Sequence, residues 1–418
     1  MTSLSPCPGL PVAAALAMML FALPSQAASL SLDDALQLAE RNAPSLSAQA
    51  AKLDAAKNAA IPAGELPDPK LALGVQNVPI EGEDRWSLDR DFMTMQMVGV
   101  MQEMPNRDKR KARVETAQAS VDRATAEAEA ERVKVRRETA LAWIATYTEQ
   151  RKLARFDDFF RENRLLAETV RARLAGGRGQ ALDAVEPKQE AAQLAEQQDD
   201  LALRVAQARA ALKRWVGQEA ARPLAGDFPH WPIDASRYLH ALHRHPELAT
   251  YEPMAREAEA QVREAEAEKK SDWSWEVDYQ RRGREFGDMM TVQFTFDLPL
   301  FSSTRQDPKI AARRAQVGQL EAEREALLRE HAQQLEADLA DYQRLDRAVA
   351  RSQSTLVPLA EEKVALALAG YRAGNTELAS VIAARRELVQ ARLKELDVQG
   401  LKALAAARLY FTYGEGRP

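Results

Sequence analysis

The fold of this chain is indicated first by residues 273–298, which read WSWEVDYQRRGREFGDMMTVQFTFDL. Over residues 273–280, large apolar and aromatic side chains alternate with polar ones, and the same alternation returns over residues 290–298. A polar segment with two glycines, residues 281–288, separates the two runs. Because successive side chains of a strand point to opposite faces, this pattern predicts a β-hairpin with one apolar and one polar face.

A second, weaker pair of strands is predicted about 200 residues earlier. Leu71, Leu73 and Val75 alternate with small or polar residues, and residues 92–104 form the partner run. A hairpin packed on a soluble core is the alternative, but the thin helices of this chain provide no such core. Four strands of about 10 residues are typical of a chain that shares in a closed β-barrel in an outer membrane.

The composition of the 418-residue chain favours long helices over a compact mixed domain. Aromatic residues make up 6% of the chain, while Ala, Glu, Arg, Gln and Leu fill long stretches. The 57 basic and 62 acidic residues give a net charge of -5. Because nucleic-acid binding requires a basic excess, this balance argues against a nucleic-acid partner.

Residues 1–27 have the features of a secretory signal peptide. Their apolar run ends at Leu23, and we place the cleavage after Ala27, which closes a small-residue site. A short membrane anchor is the alternative, given the apolar length. Cys7 is the only cysteine and lies in this segment, so we expect neither a disulfide nor a lipid-modified cysteine in the exported chain. No later apolar run is long enough for a transmembrane helix.

An internal two-fold repeat organises the rest of the chain. EMP at 103–105 matches DLP at 297–299, and LAGG at 174–177 matches YRAG at 371–374. Each half has the order helix, strand, strand, long helix, glycine turn, long helix. The predicted segments are a signal peptide at 1–27, a first repeat at 28–217, a linker at 218–236 and a second repeat at 237–418.

Long helices are the strongest local signal, and small or apolar residues recur along them at alternating steps of three and four. The predicted seams comprise Val114, Ala117, Val121, Ala124 and Ala128 in the first half, and Leu335, Leu339, Tyr342, Leu345 and Val349 in the second. A helix over residues 108–174 would be about 100 Å long, so it must pack against equally long neighbours. We expect Pro358 to kink the corresponding helix of the second half.

These features together resemble the TolC family of outer-membrane efflux proteins, and in particular its heavy-metal, CzcC/CusC-like branch. The stretches that carry the resemblance are LPDP at 66–69, QEMP at 102–105, DLPLF at 297–301 and YRAG at 371–374, with RDFMTM at 90–95 for the metal branch. The order of these stretches, given twice along the chain, makes the resemblance specific.

The resemblance implies a mainly α-helical homotrimer in the outer membrane of a Gram-negative bacterium. Each protomer would contribute four strands to a 12-stranded β-barrel and long antiparallel coiled-coil helices to a periplasmic α-barrel. The trimer would meet lipid, a periplasmic adaptor protein and an inner-membrane RND-type pump, and would act as a passive exit duct, with heavy-metal cations as the expected substrates. The alternative is a periplasmic coiled-coil adaptor or scaffold without a pore.

In this family the helix pairs join at glycine-containing turns, here Gly176, Gly177, Gly374 and Asn375, which we expect to dock the adaptor. Acidic residues beyond such turns narrow the periplasmic aperture in the family. Asp183 and Glu186 occupy these positions in the first half, whereas Ser380 and Ala383 replace them in the second. An equally weighted interpretation makes Asp183 and Glu186 a capping box, with Asp183 at the N-cap.

Two arguments conflict over the facing of the methionine-rich strand. Alternation alone would place its apolar methionines toward lipid, whereas the repeat aligns them with polar residues of the last strand. We favour the repeat, because the other facing would bring Glu103 into lipid. The predicted lumen-facing residues are Met97, Met101, Glu103, Thr291, Gln293, Thr295 and Asp297.

The sequence gives little sign of chemistry beyond transport. Thioethers suit Cu(I), but the cluster of Met93, Met95, Met97, Met101 and Met104 is better explained by packing. His240, His243 and His245 have ligand-like spacing, yet a solvated helix end explains them better, because no Asp or Cys lies close in sequence. No nucleophile elbow, phosphate loop or paired-cysteine site occurs, so we expect no enzyme activity, no cofactor and no metal site.

Overall fold

The structure, a computed structural model, describes residues 29–414. The predicted signal peptide lies outside these residues. The first half of the chain contains α1 (Leu32–Asn42), α2 (Pro44–Ala60), β1 (Lys70–Gln76), β2 (Met95–Met104), α3 (Arg107–Ala154), α4 (Phe156–Ala175) and α5 (Glu186–Val216). The second half contains α6 (Ala235–Ala241), α7 (Pro246–Ala249), α8 (Tyr251–Ala267), β3 (Trp273–Arg281), β4 (Met289–Phe296), α9 (Gln306–Arg351), α10 (Val357–Ala373) and α11 (Leu378–Leu409).

The two halves have the same order of elements, as the repeat predicts. In each half, short helices precede two strands, a long interrupted helix and a second long helix. The boundaries that we place at residues 217 and 237 stay a prediction.

The long helices are interrupted at corresponding places in the two halves, after the 48 residues of α3 and the 46 residues of α9. The single helix predicted over residues 108–174 is wrong, because α3 ends at Ala154 and α4 begins at Phe156. The Arg155 N–H donates to the Lys152 carbonyl at 3.0 Å, a tightened turn that changes the phase of the helix. Phe156 and Phe159 then both lie in a buried cluster. In the second half the interruption is a π-helical turn, Ser352–Leu356, which ends two residues before Pro358. The kink at Pro358 stays a prediction.

The predicted seams are only partly correct. Leu335, Leu339 and Leu345 are buried as expected, whereas Val114 is 47% exposed. In α3, Ala124 of the predicted seam is buried as expected, whereas the other buried alanines, Ala112, Ala119 and Ala140, lie outside the predicted seam. The difference arises because α3 packs against several shorter helices, α2 and α8 among them, rather than against one continuous partner.

The largest buried cluster lies where the two halves meet, around Trp143 and Tyr147 of α3. Their rings stack with centroids 5.0 Å apart, and the Trp143 Nε1–H donates to the Leu30 carbonyl at 3.2 Å. Leu30 forms a parallel bridge with Leu224 of the predicted linker. This cluster therefore joins the start of the described chain, the linker and α3.

Within residues 29–414, none of the helices combines the length and the apolar character that a membrane crossing requires.

Candidate functional site

The four strands form one antiparallel sheet in the order β1-β2-β3-β4 within the described chain. Met97 of β2 lies opposite Gln280 of β3, and Met101 lies opposite Glu276. Residues directly opposite each other in an antiparallel pair have their side chains on the same face. The two methionines therefore share a face with polar residues of β3.

The same face continues across β4. Glu276 lies opposite Gln293, and Asp278 lies opposite Thr291. The register thus brings together six of the predicted strand residues: Met97, Met101, Glu103, Thr291, Gln293 and Thr295. Asp297 follows the end of β4, where its N–H donates to the Asp272 carbonyl at 2.9 Å.

The opposite face of the sheet is apolar and largely uncovered in the protomer. Trp273 and Phe296 stack on this face with ring centroids 6.4 Å apart. Its other exposed members include Leu71, Leu73, Val98, Val100, Tyr279, Val292 and Phe294. An apolar patch of this extent indicates contact with an apolar environment or another chain rather than with water.

The polar face carries acidic residues that the sequence-based list of site residues omitted. Glu276 and Asp278 lie on the same face of the sheet as Glu103. Glu103 forms an ion pair with Lys70 of β1. Asp278 is 7% exposed and packs over Gly99, where any Cβ would meet its carboxylate. Both residues are polar members of the alternating run at 273–280, and this position in the pattern could have identified them.

The glycine turns at the far ends of the long helices have closely similar hydrogen bonding. The Arg178 N–H donates to the Arg173 carbonyl at 3.0 Å, and the Asn375 N–H donates to the Gly370 carbonyl at 2.9 Å. Both bonds span five residues, as in a Schellman motif. Gly177 has φ 67° and Gly374 has φ 82°, a conformation that favours glycine.

Asp183 and Glu186 do not form the capping box considered above. Asp183 accepts a hydrogen bond from the Gln180 N–H at 3.1 Å, at the third position of a 3-10 turn, Ala181–Ala184. α5 then begins at Glu186, after the apolar Val185. The capping-box interpretation is wrong because the 3-10 turn delays the start of the helix until after Asp183.

Glu186 is electrostatically strained at this position. Its Oε2 is buried and has no hydrogen-bond partner within residues 29–414. Burial raises the pKa of Glu186, and the negative charge of Asp183 raises it further, although Arg386 acts in the opposite direction. The two predicted aperture residues therefore lie close enough to repel each other.

The helical hairpin formed by α4 and α5 and the helical hairpin formed by α10 and α11 make contacts that the sequence did not predict. The guanidinium of Arg173 lies 4.1 Å from the ring centroid of Tyr371 and also donates to the Tyr371 carbonyl. Arg386 of α11 pairs with the buried Glu190 of α5, with Nε and Oε2 2.8 Å apart. These partners are almost 200 residues apart in sequence, so only the folded chain brings them together.

The histidines differ from their expected environment in one respect. His240 and His243 are exposed, as a solvated helix end predicts, but His245 is only 5% exposed. The prediction is wrong for His245 because the long helix α9, distant in sequence, covers it.

Residues 238–415 match the family model of the outer membrane efflux proteins. No curated protein matches the chain in sequence. Among solved structures, a membrane protein from Pseudomonas aeruginosa is 18% identical with a TM-score of 0.78, covering 92% of this chain and 91% of its own. CusC is 15% identical with a TM-score of 0.78, covering 92% of both chains.

The outer membrane protein VceC from Vibrio cholerae is 20% identical with a TM-score of 0.74. The match covers 92% of this chain and 96% of VceC. At these identities the three structures show a shared fold, with long helices joined to a small antiparallel sheet.

Proposed function

We propose that this chain, of which residues 238–415 match the outer membrane efflux protein family, forms a passive exit duct for heavy-metal cations as an assembly of three copies. In this proposal the protein is a TolC-type efflux channel, a transport duct rather than an enzyme, as the match of residues 238–415 and the shared fold favour.

The observation that carries the trimer is the four-stranded sheet itself. β1 and β4 are edge strands, so each leaves one row of backbone N–H and C=O groups unpaired in the sheet of one protomer. Open edges are not tolerated in lipid, whereas three sheets joined edge to edge close a 12-stranded barrel. The exposed apolar face then meets lipid, and the polar face lines the lumen. A pore-free scaffold would leave this apolar face without a partner.

Two features support cations as the cargo. Glu103, Glu276 and Asp278 give the polar face an acidic character, and Asp183 with Glu186 would do the same at the periplasmic aperture. Acidic groups around a narrow opening raise the local concentration of cations. The thioethers of Met97 and Met101 suit soft metal ions, which fits the resemblance to the metal branch.

We propose that the turns at Gly176, Gly177, Gly374 and Asn375 dock a periplasmic adaptor, which in turn meets an inner-membrane RND-type pump. These turns end the two hairpins whose contacts include Arg173 and Tyr371. Their left-handed glycines fix compact loops, so the surface that they present is well defined.

The direct test is the mass of the detergent-purified protein by native mass spectrometry, followed by single-channel recording in a planar bilayer. We expect three chains per particle and a cation-selective conductance. A detergent-free monomer without conductance would contradict the proposal and favour the scaffold.

A further inference from the structure

Three side chains from two parts of the fold converge beside a buried cluster of the second half that includes Tyr238, Leu335 and Tyr413. His245 precedes α7, Glu247 lies in α7, and His331 lies on α9, 84 residues beyond Glu247. One ligand atom from each of the three lies within 4.8 Å of the other two. We propose that His245, Glu247 and His331 bind one divalent transition-metal ion per protomer, of the class of Zn²⁺, Ni²⁺ or Co²⁺.

The inference goes beyond the proposed function, because it concerns an ion held in the protein wall rather than a transported one. Two imidazole nitrogens and one carboxylate oxygen are a donor set that suits borderline divalent ions. Hard ions such as Mg²⁺ prefer sites made of oxygen atoms alone. The donor set therefore selects the class of ion.

The geometry needs little change to admit an ion. His331 Nε2 lies 3.1 Å from Glu247 Oε2, and the ring centroids of His245 and His331 are 3.9 Å apart. An ion would replace the proton between His331 and Glu247. The Glu247 N–H donates to His245 Nδ1 at 3.2 Å. If Nδ1 were the ligand atom, the bond to the ion would replace this one neutral hydrogen bond.

The surroundings hold two of the three side chains in place and leave a path to solvent. His245 is 5% exposed, and the His331 side chain is 13% exposed. Glu247 is half exposed, and a surface cavity of about 220 Å³ lined by His240 and Tyr413 opens onto His245. Water from this cavity can complete the coordination of the ion.

Arg137 opposes a cation here, since it acts electrostatically on both His245 and Glu247. Arg237 and Arg244 line the adjoining cavity. The Arg137 guanidinium is 3.1 Å from the carboxylate of Glu138, which offsets part of its charge. An ion bound at the cluster would join the start of the second half to α9. Because the ligands come from distant parts of the sequence, the ion would stabilise the folded chain.

The experiment uses the full-length trimer in detergent, without a histidine tag and after treatment with a chelator. Isothermal titration with Zn²⁺ should give one ion per protomer, and Co²⁺ should produce visible d–d absorption bands. His331→Ala should weaken Zn²⁺ binding by at least about 100-fold, since loss of even an outer-sphere partner costs 10–100-fold. His243→Ala is the matched control and should bind as the wild type does.

Glu247→Gln keeps the shape of the side chain and removes its charge, so it carries the test if His331→Ala fails to fold. It should weaken binding by about tenfold or more and abolish the zinc-dependent rise in melting temperature. Wild-type protein that binds no Zn²⁺ at 100-fold excess over protein, or an unchanged affinity in Glu247→Gln, would overturn the proposal. Neither result depends on whether the trimer exports metal.

Discussion

Arg173 at the end of α4 holds Tyr371 at the end of α10, with the guanidinium carbon 4.1 Å from the ring centroid. Tyr371 is 3% exposed and lies in a cluster with Leu166, Val170 and Leu378. One cation–π contact and one hydrogen bond to the Tyr371 carbonyl thus join the two hairpins close to their glycine turns. The contact therefore links α4 to α10 close to the residues that we propose for the aperture.

Replacing Arg173 with alanine should loosen the two hairpins at their turns. We expect a loss of about 0.5–2 kcal/mol in the local stability of the hairpin ends, the range of a partly desolvated cation–π pair. Amide hydrogen exchange around residues 171–180 and 370–377 should accelerate. Arg173→Lys is the control, because lysine keeps the charge but not the planar stacking, and it should show a smaller effect.

Asp183→Asn combined with Glu186→Gln should reduce the preference of the channel for cations. Both changes preserve shape and remove negative charge near the proposed aperture, so the cation-to-anion permeability ratio should fall about two- to tenfold at low salt. Reversal potentials in planar bilayers measure this ratio. Asp199→Asn, on the exposed surface of α5, should leave the ratio unchanged, and an unchanged ratio in the double variant would exclude these residues from the aperture.

Glu186 should make the stability of the helical hairpin formed by α4 and α5 depend on pH in a defined direction. Its pKa is raised in the folded state by burial and by Asp183. The contribution of this carboxyl to stability is therefore fully present below the ordinary glutamate pKa and is lost as the pH rises through the raised pKa.

Glu186→Gln should accordingly remove this pH dependence and leave the hairpin as stable as the wild type, or more stable, at pH 7. Amide hydrogen exchange of the first turns of α5 at several pH values measures this pH dependence. A hairpin that is destabilised at pH 7 by Glu186→Gln would show instead that the carboxylate stabilises the helix start.

Gly99→Ala should destabilise the sheet, because a Cβ at this position would collide with the Asp278 carboxylate. We expect a cost of about 1–3 kcal/mol, the usual range for overpacking, measured as a lower melting temperature of the detergent-purified protein. Gly287→Ala is the matched control, since within residues 29–414 nothing lies within 4 Å of its Cβ position. Equal melting temperatures for the two variants would show that Asp278 moves aside freely.

Much of the fold follows from patterns that one strand or one helix carries by itself. The alternation over residues 273–280 and the glycine turns at Gly177 and Gly374 are local, so the sequence predicts them. The break at Arg155 was missed because it reflects the packing of Phe156 and Phe159 against distant residues.

The site was predicted less completely, for a related reason. The internal repeat aligns Met97 and Met101 with polar residues of β4. The register of β2 with β3 agrees, because it puts both methionines on the polar face of the sheet. The pairing of Arg173 with Tyr371 and of His331 with Glu247 joins residues far apart in sequence. Neither pairing leaves a pattern in either stretch alone, so only the folded chain reveals it.

The central claim is that the two faces of the sheet meet different surroundings, water on the side of Met97 and Met101 and lipid on the side of Val98 and Val100. The exported chain has no cysteine if the signal peptide is removed, so single cysteines can be introduced at each of the four positions.

Labelling of these four variants in intact outer membranes with a water-soluble, membrane-impermeant maleimide is the most direct measurement of this claim. The account predicts that cysteines at 97 and 101 react and that cysteines at 98 and 100 do not. Reaction at 98 and 100 with protection at 97 and 101 would contradict it.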